Sequence, residues 1–291
     1  MAEQHNPSLV HFDSGTAYVD AGVGVNEDVA TLTNDAAWVL DGATGLTDEQ
    51  YTPCETDATW YVKQVDAYLR AHACDDAPLT EILRDCVEHV AAEFAALVDD
   101  PDAVDAADEP SAAIALVRWD EEGVEFVVLG DASFVVRRGR EFDATFGQGP
   151  RHMDESALIQ LERRKTADGK THAEAFEAIL PTLETMRRAK NTLDGYWTLS
   201  LDPDAVDHAR SGERPGVSDC CLFTDGFEPL VRPYDVFRDW GKASAFIRQE
   251  GPAAAMDRIR TIERNDPECE QHPRFKQYDD AAVVSVSFDA Q

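Results

Sequence analysis

Lysine is nearly missing from this 291-residue sequence. Six lysines (Lys63, Lys165, Lys170, Lys190, Lys242 and Lys276) and 20 arginines face 57 acidic residues, a net charge of −31. Such a surface repels nucleic-acid phosphates unless a basic stripe offsets it. The densest basic cluster, Arg137, Arg138 and Arg140, lies in a strand-turn pattern, so nucleic acid is excluded as a partner. No apolar run approaches the ~18 residues of a membrane span. The start, MAEQHNPSLV, lacks the basic flank and apolar stretch of a signal peptide. The expectation is a soluble, cytoplasmic protein without a membrane partner.

Cysteines are few and scattered: Cys54, Cys74, Cys86, Cys220, Cys221 and Cys269 form no Cys-x-x-Cys pair and no zinc-ligand spacing. They read as reduced, mostly buried thiols. The eight histidines show no His-Glu-x-x-His and no paired spacing, so they offer no rival metal site. A Cys-x5-Arg loop and a Gly-x-Ser-x-Gly elbow are also missing, which leaves no signal for a Cys or Ser nucleophile.

What the chain does have is acid along its whole length, with 43% hydrophobic residues and five tryptophans. That composition belongs to a folded protein rather than a disordered acidic tail. Uniform acidity with little lysine resembles cytoplasmic proteins of salt-loving organisms, where ionic strength screens self-repulsion.

The pattern along the chain predicts early strands at Leu9–Phe12, Ala17–Val19 and Ala36–Leu40. Two helices follow, one carrying Tyr61, Val65, Tyr68 and His72, the other running from Leu79 to Leu97 after Pro78. Strand-like runs occupy Ala112–Trp119, Val124–Leu129 and Phe134–Arg137. Helical patterns then cover about 154–164 and 172–190. Strands are expected at Tyr196–Leu201 and Asp219–Thr224, a helical stretch from about 233 to 264 broken near Gly251-Pro252, and a last strand at Ala281–Phe288. Segregated strands and helices with hairpin spacing favour an α+β fold with antiparallel sheets, read as a single domain over 1–291.

Four Asp-Gly pairs occur. Asp168-Gly169 and Asp194-Gly195 sit among polar residues, as turns do. Asp41 and Asp225 instead end apolar runs, Ala-Ala-Trp-Val-Leu-Asp-Gly and Cys-Cys-Leu-Phe-Thr-Asp-Gly. A carboxylate leaving a buried strand is well placed to hold a hard cation. Asn26-Glu27-Asp28 lies a short strand ahead of Asp41, and Asp279-Asp280 opens the last strand. Gly22-Val23-Gly24 hints weakly at a phosphate-binding turn.

Taken in order, Asn26-Glu27-Asp28, Val39-Leu40-Asp41-Gly42, Val128-Leu129-Gly130-Asp131, Thr224-Asp225-Gly226 and Asp279-Asp280-Ala-Ala-Val-Val resemble the metal-dependent protein phosphatases of type 2C, over residues 16 to 288. The resemblance implies a four-layer αββα sandwich of two antiparallel sheets flanked by helices, with two Mg or Mn ions at one end. It implies hydrolysis of phosphoserine or phosphothreonine in a phosphorylated protein substrate, by a hydroxide bound to the dinuclear centre, and a role in signalling. Asp41 would bridge both metals, completed on one by the Gly42 carbonyl. Asp225 and Asp279 would hold one ion, and these three would carry catalysis through the metals. Asp28, with Glu27, would serve through water or on the other ion, and Asp131 would help hold a third, weaker metal.

The chain departs from the family at several points. Val23 stands where many members carry a phosphate-gripping Arg, and Asp41-Gly42-Ala43-Thr44-Gly45 lacks the His some members place there. Ala132 follows Asp131 in place of Ser, and Pro229, rather than an acid, lies four residues after Asp225. The alternative reading is a weak or inactive family member serving as a regulatory or binding module.

Overall fold

Alternating apolar positions lay down the sheets. The computed structural model describes residues 10–43, 45–47 and 49–290. In chain order the elements are β1 (Val10–Asp20), β2 (Asp28–Leu32), β3 (Ala36–Ala43), α1 (Asp57–His72), α2 (Leu79–Leu97), β4 (Ser111–Trp119), β5 (Gly123–Leu129), β6 (Ser133–Arg138) and β7 (Glu141–Phe146). They continue as α3 (Arg151–Asp168), α4 (His172–Arg188), β8 (Arg210–Pro215), β9 (Asp219–Phe223), α5 (Trp240–Glu250), α6 (Pro252–Arg264) and β10 (Ala281–Ala290). One antiparallel sheet has the order β1-β10-β9-β6-β7, the other β2-β3-β4-β5-β8.

Strand periodicity of two separates three layers of core. In β3, Trp38 and Leu40 pack with α1 and α2, while Ala37 and Val39 face the opposite sheet. In β9 and β10, Leu222, Val284 and Val286 fill the space between sheets, whereas Phe223 and Val283 pack outward against α5 and α6. The result is the expected αββα sandwich. The α3–α4 hairpin stands apart around a small cluster of Leu161, Ala175 and Ile179. Helix starts follow local chemistry. Thr56 caps α1 by accepting from the Thr59 N–H, and Thr171 and Glu174 form a reciprocal capping box on α4. Among the described residues no helix is long and apolar enough to cross a membrane.

Several expectations need correction. Tyr196–Leu201 is no strand: only single bridges form, Lys190 with Tyr196 and Ala112 with Leu199. Asn191 takes up that segment's polar groups instead, its side chain accepting from the Thr198 N–H and donating to Ser200 Oγ. The helical stretch begins at Trp240 rather than 233, because Asp239 supplies the cap, accepting from the Lys242 N–H at 2.9 Å. The two early segments are one long strand, β1, and β7 and β8 went unforeseen. Leu9 and Thr44 lie outside the described residues. Four of the six cysteines are buried, as expected, but Cys74 is exposed.

Candidate metal centre

The same alternation aims the acids. Ala30 and Leu32 of β2 and Ala37 and Val39 of β3 point between the sheets, so Asp28 and Asp41 fall on that face too. Asp28 pairs directly with Asp41 in the β2–β3 register. From the facing sheet, Cys220 and Leu222 point inward, and Thr224, next in that series, donates its hydroxyl to Asp28 Oδ2 at 2.7 Å. The Ala282 N–H donates to the same hydroxyl at 2.7 Å, which ties β10 to the junction. Asp225 follows at the start of a short 3-10 turn, Asp225–Leu230.

These strand ends open into a cavity of about 850 Å³ lined by Glu27, Asp41, Gly42, Asp131, Asp225 and Asp279, among others. The Asp41 and Asp225 side chains hydrogen-bond each other, which requires a shared proton. Burial, then the charge of Asp28, Asp131 and Asp279, pushes Asp41 well above the carboxylate range. Asp225 is raised likewise, by burial and then by Asp41, Asp279 and Asp131. Asp28 is raised by burial first; the Thr224 hydrogen bond opposes this, and Asp225, Asp279 and Asp280 add to it. Burial dominates again at Asp131, with Glu228 and Asp279 raising its pKa and Arg187 opposing.

The structure separates the Asp279-Asp280 pair by role. Asp280 accepts from the Gly22 N–H at 2.7 Å and the Glu27 N–H at 2.9 Å, so it tethers the β1–β2 loop. The Gly22 N–H is therefore spent on Asp280 rather than offered to a phosphate. Asp279 faces Lys276, whose Nζ lies 2.9 Å from its Oδ1, while Arg260 donates to the Asp279 carbonyl at 2.6 Å. Gly42 is needed for a close approach: its N–H donates to the Glu27 carbonyl at 3.1 Å, and a Cβ there would come within 2.7 Å of that oxygen.

Do these residues fit a metal? The donors are carboxylate oxygens, the kind that hard divalent ions take. Buried Asp28 Oδ1 has no hydrogen-bond partner among the described residues, an acceptor left for a cation or water. No group of three such side chains among the described residues stands as a ready-made cage, so closing one requires side-chain rotation. Mutual repulsion opposes closer approach of the carboxylates that share no proton, and a divalent charge would offset it.

Sequence reasoning passed over some of the cavity wall. Asp154 of α3 lies along the same helix stripe as buried Ala157 and Leu161, an acid on an apolar face, and that was its legible signal. Burial, then the charge of Asp131, raises it to about 7. Arg151 pairs with Glu228 at 2.6 Å, and Arg187 donates to the Ala43 carbonyl at 3.2 Å. Both line the cavity, and nothing in their spacing announced it. Val23, 65% exposed, stands at the rim.

No family model and no curated protein matches the sequence. Solved structures do. The Mycobacterium tuberculosis serine/threonine phosphatase PstP/Ppp is 17% identical with a TM-score of 0.54, over 94% of this chain and 97% of its own. The catalytic domain of PstP in complex with two manganese ions is 16% identical with a TM-score of 0.54, over 97% and 99%. Stp1 from Staphylococcus aureus is 12% identical with a TM-score of 0.52, over the full length of both. Likeness at this level speaks for architecture, and the chain has the fold of the metal-dependent serine/threonine phosphatases that its ordered acidic segments resemble.

Proposed function

We propose that the protein is a phosphatase that removes phosphate from phosphoserine or phosphothreonine in proteins, with two Mg or Mn ions held in the acidic cavity. The observation that carries this reading is convergence. Asp41, Asp225 and Asp279 come from separate segments at the ends of two sheets to one cavity, with Asp28 paired beside Asp41, and burial and mutual charge strain Asp28, Asp41 and Asp225 toward protonation. Carboxylates this costly to cluster serve a fold only when a cation neutralises them.

When bound, the ions supply Lewis acidity and an activated water at neutral pH. The chain's own groups do the rest. Asp41 would serve both ions and the Gly42 carbonyl would complete one of them, with Asp225 and Asp279 holding one from the β9 and β10 side. Asp28, with Glu27, would serve through water or on the other ion, and Asp131 would help hold a third. Thr224 orients Asp28, and Arg260 fixes the backbone of Asp279. A phosphoprotein entering here meets an acidic surface, so we place its work in a salt-rich cytoplasm, in signalling.

The rival reading, a binding module that keeps the fold without the reaction, draws on the open cage and on Val23. Phosphate release from a phosphoserine protein, in molar KCl with and without Mn, decides between them. Mn-dependent release is expected; none at saturating Mn would overturn the assignment.

A further inference from the structure

A phosphate monoester carries about two negative charges near neutral pH, and the cavity it must enter is rich in acids. It therefore needs a cation with free N–H groups. Five cations line the wall, Arg151, Arg187, Arg232, Arg274 and Lys276. Arg274 spends its guanidinium on Asp266 Oδ2 at 2.8 Å and on the carbonyls of His272, Asp266 and Gln277 at 2.8, 2.7 and 3.1 Å. Arg151 pairs with Glu228, and Arg187 holds the Ala43 carbonyl.

Lys276 differs. Its ammonium lies 2.9 Å from Asp279 Oδ1, its side chain is 54% exposed, and it lines the cavity. One of the ammonium's three donors meets Asp279, which leaves the others for a second acceptor at the cavity wall. The loop beneath it is fixed: Asp266 accepts from the backbone N–H groups of Glu270, Gln271 and His272, and Arg260 grips the Asp279 carbonyl. That loop is also packed against the turn that carries Val23. The Gly22 N–H meets Asp280, and a Cβ on Gly22 would lie 2.5 Å from the Asp279 carbonyl carbon. Uncharged Val23 and charged Lys276 therefore rise from adjoining loops at one side of the cavity. The chain has only six lysines, and of these Lys165, Lys190 and Lys276 donate to internal acceptors. An ammonium kept here, where lysine is otherwise scarce, has a local task.

We propose that Lys276 is a substrate-binding residue whose ammonium receives the phosphoryl oxygens. This rests on the phosphatase reading. Without a divalent ion, Lys276 neutralises Asp279. With the Asp279 charge taken up by a divalent ion, the Lys276 ammonium would be left to receive an anion.

The test uses inorganic phosphate as the probe. Phosphate binding to Mn-loaded wild type, Lys276→Gln and Lys276→Arg is followed by calorimetry, and Mn binding by electron paramagnetic resonance of the free ion. The Gln variant should bind phosphate at least about tenfold more weakly, and the Arg variant within about threefold of wild type. Mn binding to the Gln variant should be unchanged or tighter, because a competing cation is gone. Phosphate affinity in the Gln variant equal to wild type overturns the proposal. So does a Gln variant that loses Mn, which would make Lys276 a support of the metal centre. A wild-type protein that binds Mn without phosphate, or neither, refutes the phosphatase reading itself, and this inference with it.

Discussion

Asp41→Asn separates the two jobs of the cluster, holding metal and tolerating its own charge. The substitution keeps shape and leaves an amide able to donate to Asp225, while removing one negative charge. In the metal-free protein that charge is a burden. Burial and the neighbours Asp28, Asp131 and Asp279 raise the Asp41 pKa above its ordinary 3.8. The stability carried by the neutral form is complete below that value and is lost as pH rises through the raised one. Two carboxylates about 4 Å apart repel by about 4 kcal/mol at an effective dielectric of about 20. Partial exposure of Asp41 to the cavity and the proton shared with Asp225 reduce the recoverable part to about 1–2 kcal/mol. The metal-free variant should therefore melt about 2–6 °C above wild type at neutral pH, with the gap closing below pH 4. With Mn the order reverses. A ligand at about a hundred times its Kd adds about 2.7 kcal/mol to the folded state, and most of that should vanish in the variant. Phosphatase activity should fall at least about a hundredfold, since one lost charge at such a centre removes about 2.7 kcal/mol or more. Asp168→Asn is the control, an exposed acid paired with Arg164 at 3.1 Å, where the change should stay within about 0.5 kcal/mol. Differential scanning fluorimetry with and without Mn, alongside phosphate release, reads all of this. Equal rates in Asp41→Asn and wild type at saturating Mn, or a metal-free variant that melts lower, would refute the reasoning.

Three further outcomes are expected. Melting temperature should climb between dilute buffer and molar KCl, because salt screens a net charge of −31; a flat profile would dismiss the salt-rich setting. Thr224→Val removes the hydroxyl between Asp28 Oδ2 and the Ala282 N–H. It should cost about 1–3 kcal/mol in urea unfolding and weaken Mn binding, and unchanged values for both would show the contact to be idle. Asp154, raised to about 7 from an ordinary 3.8, contributes stability that is complete below 3.8 and lost as pH rises through about 7. Asp154→Asn should flatten the decline of metal-free stability between pH 4 and 7, and parallel pH profiles for variant and wild type would contradict that.

The amphipathic helices were legible because packing and spacing agree. Tyr61, Val65 and Leu69, then Leu79, Leu83, Cys86, Val90 and Phe94, are buried at helical intervals against one sheet. Buried strands such as β4 and β9 read as continuous apolar runs for the same reason. β7 and β8 were missed because they lie at the edges of their sheets, where a solvated strand such as Arg-Ser-Gly-Glu-Arg-Pro needs no apolar alternation. Tyr196–Leu201 failed in the opposite way: its apolar residues pack beside α2 without a ladder.

For the site, local sequence was enough to mark which carboxylates leave buried strands, because an apolar run followed by Asp-Gly can only deliver its acid to the end of a core. That is how Asp41 and Asp225 stood out from the other Asp-Gly pairs. The tethering role of Asp280 belongs to the tertiary structure, since it turns on backbone N–H groups of Gly22 and Glu27 more than 250 residues away. The same holds for Asp154 and Lys276, which reach the cavity from a helical hairpin and a loop outside the sheets. A period of two fixes the face a side chain takes, but the distance between faces is set by register, by sheet-on-sheet packing and by the polar tethers that close the loops.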